Sequence, residues 1–369
     1  MTKIKLCVIY NYAQHYRTGI FKLISNEFDT DFCFGDSMGD VKKLDYSLLS
    51  GDVREVHVVS KFGFSYQRGL LHLLKKDYSS YVILGETRSI STWLFLLLSV
   101  FHREKKYFLW THGWYGKESL LEKLLKKVMY RLPNGGLFLY GNRARELMIS
   151  EGFNPEKLFV IHNSLDYEVQ LPIRQSLQPS PIYQNHFNNT NKNIVFIGRL
   201  TKVKRLDMLI EAILLLKKRG LMINVTFVGD GTERKKMEQM VEEKGIKEQV
   251  WFFGASYDEK NNAKMIYNAD LCVSPGNVGL TAMHSLVYGT PVITHDDFRY
   301  QMPEFEAIKK GITGDFYQYG SVVSLADTIL KWLADNENNR ERVKKDCFME
   351  IDHFWTPYYQ MKVLKENLC

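Results

Sequence analysis

Short apolar strands alternate with helical stretches along the chain, and this alternation limits the possible folds more than any other feature of the sequence. Residues 5–10, 81–84 and 107–110 are strand-like runs, and stretches with apolar residues at helical spacing follow each of them. The same pattern returns after residue 193. Strands joined through helices form parallel sheets with right-handed crossovers. We therefore predict an α/β protein of two Rossmann-like domains that face each other across a cleft.

The 369 residues exceed one typical domain, and a change in composition marks the expected boundary. Residues 171–192 are rich in Gln, Pro, Ser and Asn and have little periodicity, which is typical of a linker. We therefore place an N-terminal domain at residues 1–170 and a C-terminal domain at residues 193–347.

Composition and charge are those of an ordinary globular protein, with 45% hydrophobic and 25% charged residues. The formal net charge of +7 suits anionic small molecules or anionic lipid and is too diffuse to indicate nucleic acid. Five scattered cysteines fit a reducing compartment. The N-terminal apolar run is too short for a signal peptide, and the longest apolar run, 93–101, is about half of the ~20 residues that a spanning helix needs. We expect a cytoplasmic protein, with a position at the inner face of the membrane left open.

Residues 117–131 have the pattern of a basic amphipathic helix, with leucines at helical spacing and five cations on the remaining faces. Such a helix can lie on an anionic membrane, where each Lys or Arg adds on the order of 1 kcal/mol. A helix whose apolar face packs on the core and whose back is solvated has the same pattern. Both interpretations stay open.

A basic loop follows the strand at 194–197 and precedes a helix that begins near residue 206. The loop carries Arg199, Lys202, Lys204 and Arg205. Because ligands of open α/β sheets lie outside the carboxyl ends of the strands, cations there suit a phosphate-bearing ligand. A solvated basic loop has the same sequence.

A second loop, 275–279, precedes a helix that starts near Leu280. Backbone N–H groups at a helix N-terminus bind phosphate, and Gly279 allows a close approach. A simple turn glycine is the alternative.

These segments stand in the order and at the intervals of a known family. The matching stretches are 198–204, 227–232, 250–254, 269–275, 279–280 and 289–293, with Pro303 and Glu304 beyond them. In this set the chain resembles the retaining glycosyltransferases of the GT-B fold, similar to the family-4 type of bacterial surface-polysaccharide enzymes. The match covers the C-terminal half and extends weakly into the first half through 151–163. The resemblance implies an acceptor-side N-terminal domain, a donor-binding C-terminal domain, and a C-terminal helix, 348–369, that returns to the N-terminal domain.

The resemblance implies that Arg199 and Lys204 bind the donor diphosphate, where fixed cations stabilise the departing group. The base is expected near Gly254 and Ala255, with Tyr257 stacked on it or merely packed. UDP is favoured as the carrier and GDP stays open. We expect no metal and no cofactor, because no Asp-x-Asp stands at a strand end in a suitable setting. The donor-binding set is Gly198, Arg199, Lys204, Gly254, Ala255, Tyr257, Asn277, Val278, Gly279, Leu280, Thr281, His284 and Glu304.

The chain departs from its relatives at two carboxylates. The family places one Glu before the Gly279 turn and another eight residues later, and here those positions hold Gly276 and His284. His284 is expected to reach the ribose or a phosphate, or else to pack inside the domain. Glu304 matches the family's Pro-Glu position, and it or Glu306 is expected to replace part of the lost contact.

In the first half, the resemblance implies that His112 is directed at the donor sugar and phosphate. Glu86 ends another strand and is expected either to orient the acceptor hydroxyl or to cap the following helix. Together with Arg199 and Lys204 these two residues form the predicted catalytic set. The first loop is assigned to acceptor or phosphate contact through Asn11, Tyr12, His15 and Arg17.

From these residues we predict a metal-independent glycosyltransferase of the hexosyltransferase type. It would transfer a sugar from a nucleotide sugar to a hydroxyl of a glycan or lipid-linked acceptor, with retention, in cell-surface polysaccharide or glycoconjugate synthesis. A nucleotide-sugar epimerase of the same fold and a non-catalytic two-lobed binding protein are the alternatives. The epimerase would need no acceptor, and the binding protein would not depend on Arg199 and Lys204.

Overall fold

The structure is a computed structural model that describes residues 4–37 and 41–369. The chain divides into two compact units, one formed by Met1–Asp166 with Thr356–Cys369 and the other by Tyr167–Trp355. Each unit is built on a parallel β-sheet with helices connecting its strands. The predicted α/β class with two Rossmann-like domains is confirmed.

The first unit contains nine strands and four α-helices, besides short 3-10 helices, before residue 167 in the described part of the chain. They are β1 Lys5–Tyr10, α1 Thr18–Glu27, β2 Asp29–Gly35, β3 Val53–Val56, β4 Val58–Lys61, β5 Phe64–Gln67, β6 Ser80–Leu84, α2 Ile90–Ser99, β7 Lys106–Thr111, α3 Leu120–Met129, β8 Gly136–Leu139, α4 Asn142–Ser150 and β9 Leu158–Val160.

Seven of these strands form one parallel sheet in the order β3-β2-β1-β6-β7-β8-β9. The strands β4 and β5 form a separate antiparallel hairpin. The strand order reverses between β1 and β6, so the loops that follow these two strands diverge there. Such a switch point is where open α/β sheets bind ligands.

The sheet of the first unit has an apolar core on each face. On one face α1 contributes Ile20, Phe21 and Ile24. On the other face Phe95 and Leu96 of α2 and Met129 of α3 belong to a second core. Burial on both faces explains why β1 reads as a continuous apolar run from Leu6 to Tyr10.

The second unit has its own helices and a six-stranded parallel sheet. Its elements are α5 Tyr167–Ser176, α6 Ile182–Phe187, β10 Lys192–Ile197, α7 Leu206–Lys218, β11 Ile223–Val228, α8 Arg234–Glu243, β12 Val250–Gly254, α9 Glu259–Asn268, β13 Leu271–Val273, α10 Leu280–Val287, β14 Val292–His295, β15 Gly314–Tyr317, α11 Val322–Asp335 and α12 Arg340–Phe354. The strand order is β12-β11-β10-β13-β14-β15, which places the switch point between β10 and β13.

The predicted linker at 171–192 holds two helices, α5 and α6, and the division between the units lies before it, at Asp166. The burial of Tyr183 explains the difference. Tyr183 is buried in the second unit and donates a hydrogen bond to the carbonyl oxygen of Met265 at 2.6 Å. The stretch therefore packs as part of the second unit.

The predicted C-terminal helix at 348–369 is two helices in the structure. Its first residues belong to α12 in the second unit, and only α13, Pro357–Leu368, belongs to the first. Pro357 cannot continue a helix but can begin one, and Thr356 caps it by accepting from the Tyr359 N–H. Within the first unit, the Gln360 amide of α13 donates to the His162 carbonyl oxygen at 2.9 Å.

Candidate functional site

The loop after β10 lies at the switch point of the second sheet and brings the predicted phosphate-binding cations to the carboxyl ends of the strands. Gly198 begins it with φ +142°, a conformation that favours glycine. Arg199 is exposed, whereas Lys204 is partly buried. Arg205 pairs instead with Asp207 of its own helix at 3.4 Å. Arg199 and Lys204 stay the cations predicted to bind the diphosphate.

Lys204 connects this loop to the turn after β13. Its ammonium donates to the carbonyl oxygens of Asn277 and Val278 at 2.6 and 3.1 Å. Burial, together with the charge of Arg199 and against the opposing charge of Glu304, lowers the pKa of Lys204 to about 8. Glu304 is buried, and it lies close enough to Lys204 for its charge to raise the pKa of the ammonium.

Two backbone N–H groups of the turn before α10 are bonded within the protein. The Val278 N–H donates to the side chain of Gln301 at 2.8 Å, and the Asn277 N–H donates to the Val203 carbonyl at 3.1 Å. Helix geometry leaves the N–H groups of Leu280 and Thr281 without intrahelical partners. The N–H groups of Asn277 and Val278 therefore have partners within the protein, and the backbone donors predicted for a phosphate are those at the start of α10.

Gly279 has a backbone conformation that favours glycine. Its backbone has φ +51° and ψ −146°, which a residue with a side chain rarely adopts. The Thr281 hydroxyl donates to the Ile197 carbonyl at 2.9 Å and ties the start of α10 to the end of β10. The loop after β10, residues 198–205, is called the cation loop below. The Thr281 hydrogen bond thereby holds the cation loop and the N-terminus of α10 together at one switch point.

Gly276 occupies the position at which relatives carry their first Glu, and the structure shows why a side chain is missing. A Cβ atom built on Gly276 would lie 2.0 Å from the Val203 carbonyl oxygen, and the Gly276 N–H donates to the Lys204 carbonyl at 2.9 Å. The loop after β10 thus fills the space of the missing carboxylate.

His284, at the position of the second family Glu, is paired with a carboxylate from another helix. Its Nε2 lies 3.0 Å from Oε1 of Glu259, which also accepts from Tyr288 and Gln170 at 2.6 and 2.9 Å. Burial alone would raise the pKa of Glu259, but these hydrogen bonds and the charge of His284 hold it at about 2. Glu259 is therefore ionised over the whole physiological range.

The loop after β12 presents the predicted base-binding residues. Gly254 has φ +94° and its carbonyl accepts from the Gly229 N–H at 2.8 Å. Ala255 is exposed, and the side chain of Tyr257 is 95% exposed. The packing alternative for Tyr257 is therefore wrong, while stacking on a base stays a prediction.

In the first unit, Asn11 and Glu86 follow β1 and β6 and line one cavity of about 350 Å³ at the switch point. Its polar lining consists mainly of small side chains that can bond hydroxyl groups. The polar residues are Asn11, Ser37, Ser60, Ser65, Gln67, Glu86, Ser89 and Thr92. Ser89, not Glu86, caps α2 by accepting from the Thr92 N–H, so the capping alternative for Glu86 is wrong. Burial raises the pKa of Glu86, and Arg88 opposes the shift.

Two residues of the first loop are core residues, which corrects their assignment to acceptor or phosphate contact. Arg17 is buried against the rings of Tyr10, Trp110 and Tyr140 and donates to the Tyr140 hydroxyl. Tyr12 is also buried. Cation–π attraction to three rings explains why a charged loop residue turns inward. His15 stays exposed, with Nδ1 3.3 Å from the Lys42 carbonyl oxygen, and Asn11 is half-buried.

His112 follows β7 at the same edge of the first sheet. Its ring lies 4.6 Å from that of Tyr140. Burial, with the positive charges of Arg17 and Lys126, lowers its pKa to about 3. His112 is therefore neutral at physiological pH and can act as a hydrogen-bond donor or acceptor but not as a cation.

Residues 182–346 match the sequence model of the family Glycosyl transferases group 1. The chain contains a group 1 glycosyltransferase domain. The match lies within the second unit and includes the cation loop, the turn before α10 and the pair of Glu259 with His284.

Two relatives whose names state an activity align with part of the chain. Poly(ribitol-phosphate) alpha-N-acetylglucosaminyltransferase of Staphylococcus aureus is 26% identical over 207 residues, which cover 55% of this chain and 37% of the relative. Alpha-D-kanosaminyltransferase of Streptomyces kanamyceticus is 25% identical over 157 residues, 42% of this chain and 39% of the relative. The aligned part thus spans well under half of either relative.

Solved structures resemble the whole chain. Anabaena HepE in complex with UDP has a TM-score of 0.73 and 14% identity, with 99% of each chain covered. The lipopolysaccharide outer core galactosyltransferase WaaB has a TM-score of 0.72 and 14% identity, again over 99% of each chain. At this identity the likeness establishes the fold, which is GT-B.

Sequence reasoning missed Glu259 of the group 1 domain. It lies 25 residues before His284 and on a different helix, so no local spacing connects the two. The only sequence signal was the missing carboxylate itself. A lost acidic residue whose position holds a His is a reason to search for an acidic partner elsewhere.

Proposed function

We propose that the protein transfers a sugar from a nucleotide sugar, with UDP favoured over GDP as the carrier, to a hydroxyl of a glycan or lipid-linked acceptor in cell-surface polysaccharide synthesis. One observation carries the proposal. Arg199, Lys204 and the N-terminus of α10 meet at the switch point between β10 and β13, inside the group 1 domain. HepE, which shares the fold, has been solved with UDP and with UDP-glucose.

In the proposed donor site the diphosphate lies between the cation loop and α10. Arg199 supplies a planar guanidinium and Lys204 a compact charge, while the first N–H groups of α10 supply neutral donors. These groups stabilise the negative charge that develops on the leaving diphosphate. Because the chain provides these positive charges itself, we propose a reaction without a metal ion and without a cofactor.

We further propose that Glu259 and His284 bind the ribose. The ionised carboxylate of Glu259 is a strong acceptor for a hydroxyl, and His284 orients it through the 3.0 Å contact. The pair would replace the carboxylate that the family places at position 284. Glu304, buried beside Lys204, is proposed to contact the donor sugar.

Transfer is proposed to retain the anomeric configuration by attack on the face from which the diphosphate leaves. The acceptor oxygen forms a bond to the anomeric carbon while the bond from that carbon to the phosphate oxygen breaks. The acceptor proton passes to the departing phosphate oxygen. A carboxylate nucleophile at position 276 is sterically excluded, because a Cβ there meets the Val203 carbonyl oxygen at 2.0 Å.

The acceptor is proposed to bind the cavity of the first unit. Serine hydroxyls, amide groups and the carboxylate of Glu86 line it, a composition that suits the hydroxyls of a sugar. Neutral His112 would donate a hydrogen bond to the donor sugar or its phosphate. Among the described residues no helix has the length and apolar character needed to cross a bilayer. We propose a cytoplasmic site of action at the inner face of the membrane.

A thermal-shift series with UDP, GDP and their sugars tests the donor assignment. A ligand present at 100 times its dissociation constant should add roughly 2.7 kcal/mol to the free energy of unfolding. We expect a shift with UDP and UDP-sugars that Arg199→Ala abolishes. Absence of any nucleotide shift would refute the donor site, and conversion of a UDP-sugar to its epimer without acceptor would replace transfer by epimerisation. Ligand affinity unchanged in Arg199→Ala would favour a mere binding protein.

A further inference from the structure

The helix α3 turns its apolar side away from the core. Leu120 is 87% exposed, and the other members of the stripe are exposed as well. The stripe consists of Leu120, Leu121, Leu124, Leu125 and Val128. This arrangement contradicts the sequence interpretation in which these leucines pack on the core and the cations form a solvated back.

The inward side of α3 is held by a buried ion pair. Lys126 is buried and donates to Oε1 of Glu118 at 2.8 Å and to the Gly113 carbonyl at 3.0 Å. Glu118 in turn accepts from the N–H groups of Tyr115 and Gly116 at 2.7 and 2.9 Å. Rolling the helix to bury the leucines would expose this network and break it. The outward position of the leucines is therefore fixed by polar contacts on the opposite side.

The neighbouring helix α2 has the same inverted pattern. Small polar residues, Ser91, Thr92 and Ser99, lie on its buried side with Phe95 and Leu96. Its exposed side carries Ile90, Leu94, Leu97 and Leu98, and Phe101 just beyond the helix is 81% exposed. Two helices of the first unit thus both present apolar stripes to the outside.

Both stripes belong to one surface of the first unit. The helix α2 connects β6 to β7 and α3 connects β7 to β8, so both crossovers step in the same direction and lie on the same face of the sheet. Phe95 of α2 and Met129 of α3 accordingly share one core. We call the exposed sides of α2 and α3, together with Phe101, the apolar face. Ten large apolar side chains make it larger than the scattered exposed residues usual on a monomer.

We propose that the apolar face inserts into the headgroup region of an anionic lipid bilayer. Residues 101–131, which follow α2 and include all of α3, contain eight Lys and Arg against three Glu. Arg103, Lys106 and Lys117 among them are exposed. Apolar side chains bordered by cations suit an interfacial position, where anionic headgroups attract the cations and the acyl boundary takes up the leucines.

The leucines, rather than the helix cations, supply most of the binding in this proposal. Lys126 is buried, and Lys123 and Lys127 pair with Glu151 at 3.0 and 2.6 Å. These partners leave fewer cations of α3 for lipid than the sequence predicts. The apolar face contains none of the residues of the proposed donor site, so a test of membrane binding is independent of the sugar-transfer proposal.

Vesicle flotation of the full chain, without donor or acceptor, tests the proposal. We expect binding to vesicles of three parts phosphatidylcholine and one part phosphatidylglycerol, weaker binding to phosphatidylcholine alone, and weakening by salt, since the screening length falls from about 10 Å at 0.1 M to about 3 Å at 1 M. The double variant Leu121→Glu, Leu124→Glu should lose about tenfold in partitioning for each leucine.

A matched control separates this effect from a general loss of exposed apolar residues. Val323→Glu with Met349→Glu changes two side chains of the second unit that are 53% and 51% exposed, and it should float like the unchanged protein. Thermal unfolding should show all variants folded, since every altered side chain is exposed. The proposal fails if the unchanged protein does not float with anionic vesicles or if the leucine variant floats equally well. It also fails if light scattering shows a dimer that the leucine variant dissolves, because the face would then pair two copies.

Discussion

The ammonium of Lys204 lies 2.6 Å from the carbonyl oxygen of Asn277, so this side chain joins the backbone hydrogen bonds that bind the loop after β10 to the turn after β13. The same ammonium is the charge proposed to meet the donor phosphate. One residue therefore both shapes the turn before α10 and supplies its positive charge.

Replacing Lys204 with Met should reduce kcat/KM for sugar transfer about a hundredfold or more, because removal of a group that stabilises leaving-group charge costs on the order of 10²–10³ in rate. Steady-state kinetics with a UDP-sugar would measure it. Lys202→Met is the control, since Lys202 is an exposed cation of the same loop and should change kcat/KM by less than about threefold. Equal losses in both variants would indicate a diffuse charge effect.

Ligand binding should depend on the protonation of Lys204. Its pKa is about 8 in the folded chain, so at pH 9 about nine molecules in ten lack the charge and UDP should bind about tenfold more weakly than at pH 7. Isothermal titration calorimetry at both pH values would show this. In Lys204→Arg the guanidinium stays charged, and the pH dependence should flatten.

The same pKa sets a trend in stability. The pKa of Lys204 is lowered from its ordinary value of 10.5 to about 8 in the folded state. Between about pH 8 and pH 10.5, Lys204 therefore binds its proton more tightly in the unfolded chain than in the folded one. The contribution of Lys204 to the free energy of unfolding therefore rises with pH across that window. The free energy of unfolding, measured by urea unfolding and plotted against pH, should have different slopes for the unchanged protein and Lys204→Met in that window. The two plots should run parallel below pH 7.

Much of the fold and part of this site could be predicted from the sequence. Strands buried on both faces, such as β1 and β10, read as continuous apolar runs, and the cations after β10 are local in sequence. The sequence analysis does not predict β2, although this strand lies between β3 and β1 in the sheet. Its sequence begins with Asp29-Thr-Asp, and two acidic residues hide the apolar run that follows.

Other features depend on contacts that no local pattern carries. Periodicity shows that α3 has an apolar stripe but not which way it faces, and the buried pair of Lys126 with Glu118 decides that. Arg17 is charged and lies in a loop, yet rings from three separate strands or strand ends enclose it. Residues distant in sequence thus fixed the positions that sequence reasoning got wrong.

Restoring the family carboxylate through Gly276→Glu should fail. The new Cβ would meet the Val203 carbonyl oxygen at 2.0 Å, so the loop that carries Lys204 must move. We expect a loss of about 1–3 kcal/mol in the free energy of unfolding, typical of overpacking, and a loss of UDP binding rather than a gain. Gly220→Ala, at an open position with φ +85°, should cost only about 1 kcal/mol and leave UDP binding unchanged. Tighter UDP binding by Gly276→Glu would contradict the steric explanation.

Ribose recognition should depend on Glu259. The unchanged protein is expected to bind UDP more tightly than 2′-deoxy-UDP, and Glu259→Gln should bring the two affinities to within about twofold, since an amide accepts a hydroxyl less strongly than a carboxylate. Calorimetry with both nucleotides would measure the difference. Glu242→Gln, at an exposed position of α8, is the matched control. If Glu259→Gln keeps the full discrimination, the carboxylate serves only to hold His284 and Tyr288.

Glu86 should affect the acceptor and not the donor. It lines the cavity of the first unit with Asn11 and five hydroxyl-bearing side chains, whereas the proposed diphosphate site lies in the second unit. In Glu86→Gln an amide replaces the carboxylate that is proposed to accept a hydrogen bond from the hydroxyl of the sugar acceptor. We therefore expect KM for the sugar acceptor to rise about tenfold, while the dissociation constant of UDP stays constant. Initial-rate kinetics with each substrate varied in turn, together with UDP titration, separates the two effects. Glu104→Gln, an exposed carboxylate outside the cavity, should leave both constants unchanged. A weaker UDP affinity in Glu86→Gln would instead place Glu86 in donor binding, and the cavity would lose its assignment to the acceptor.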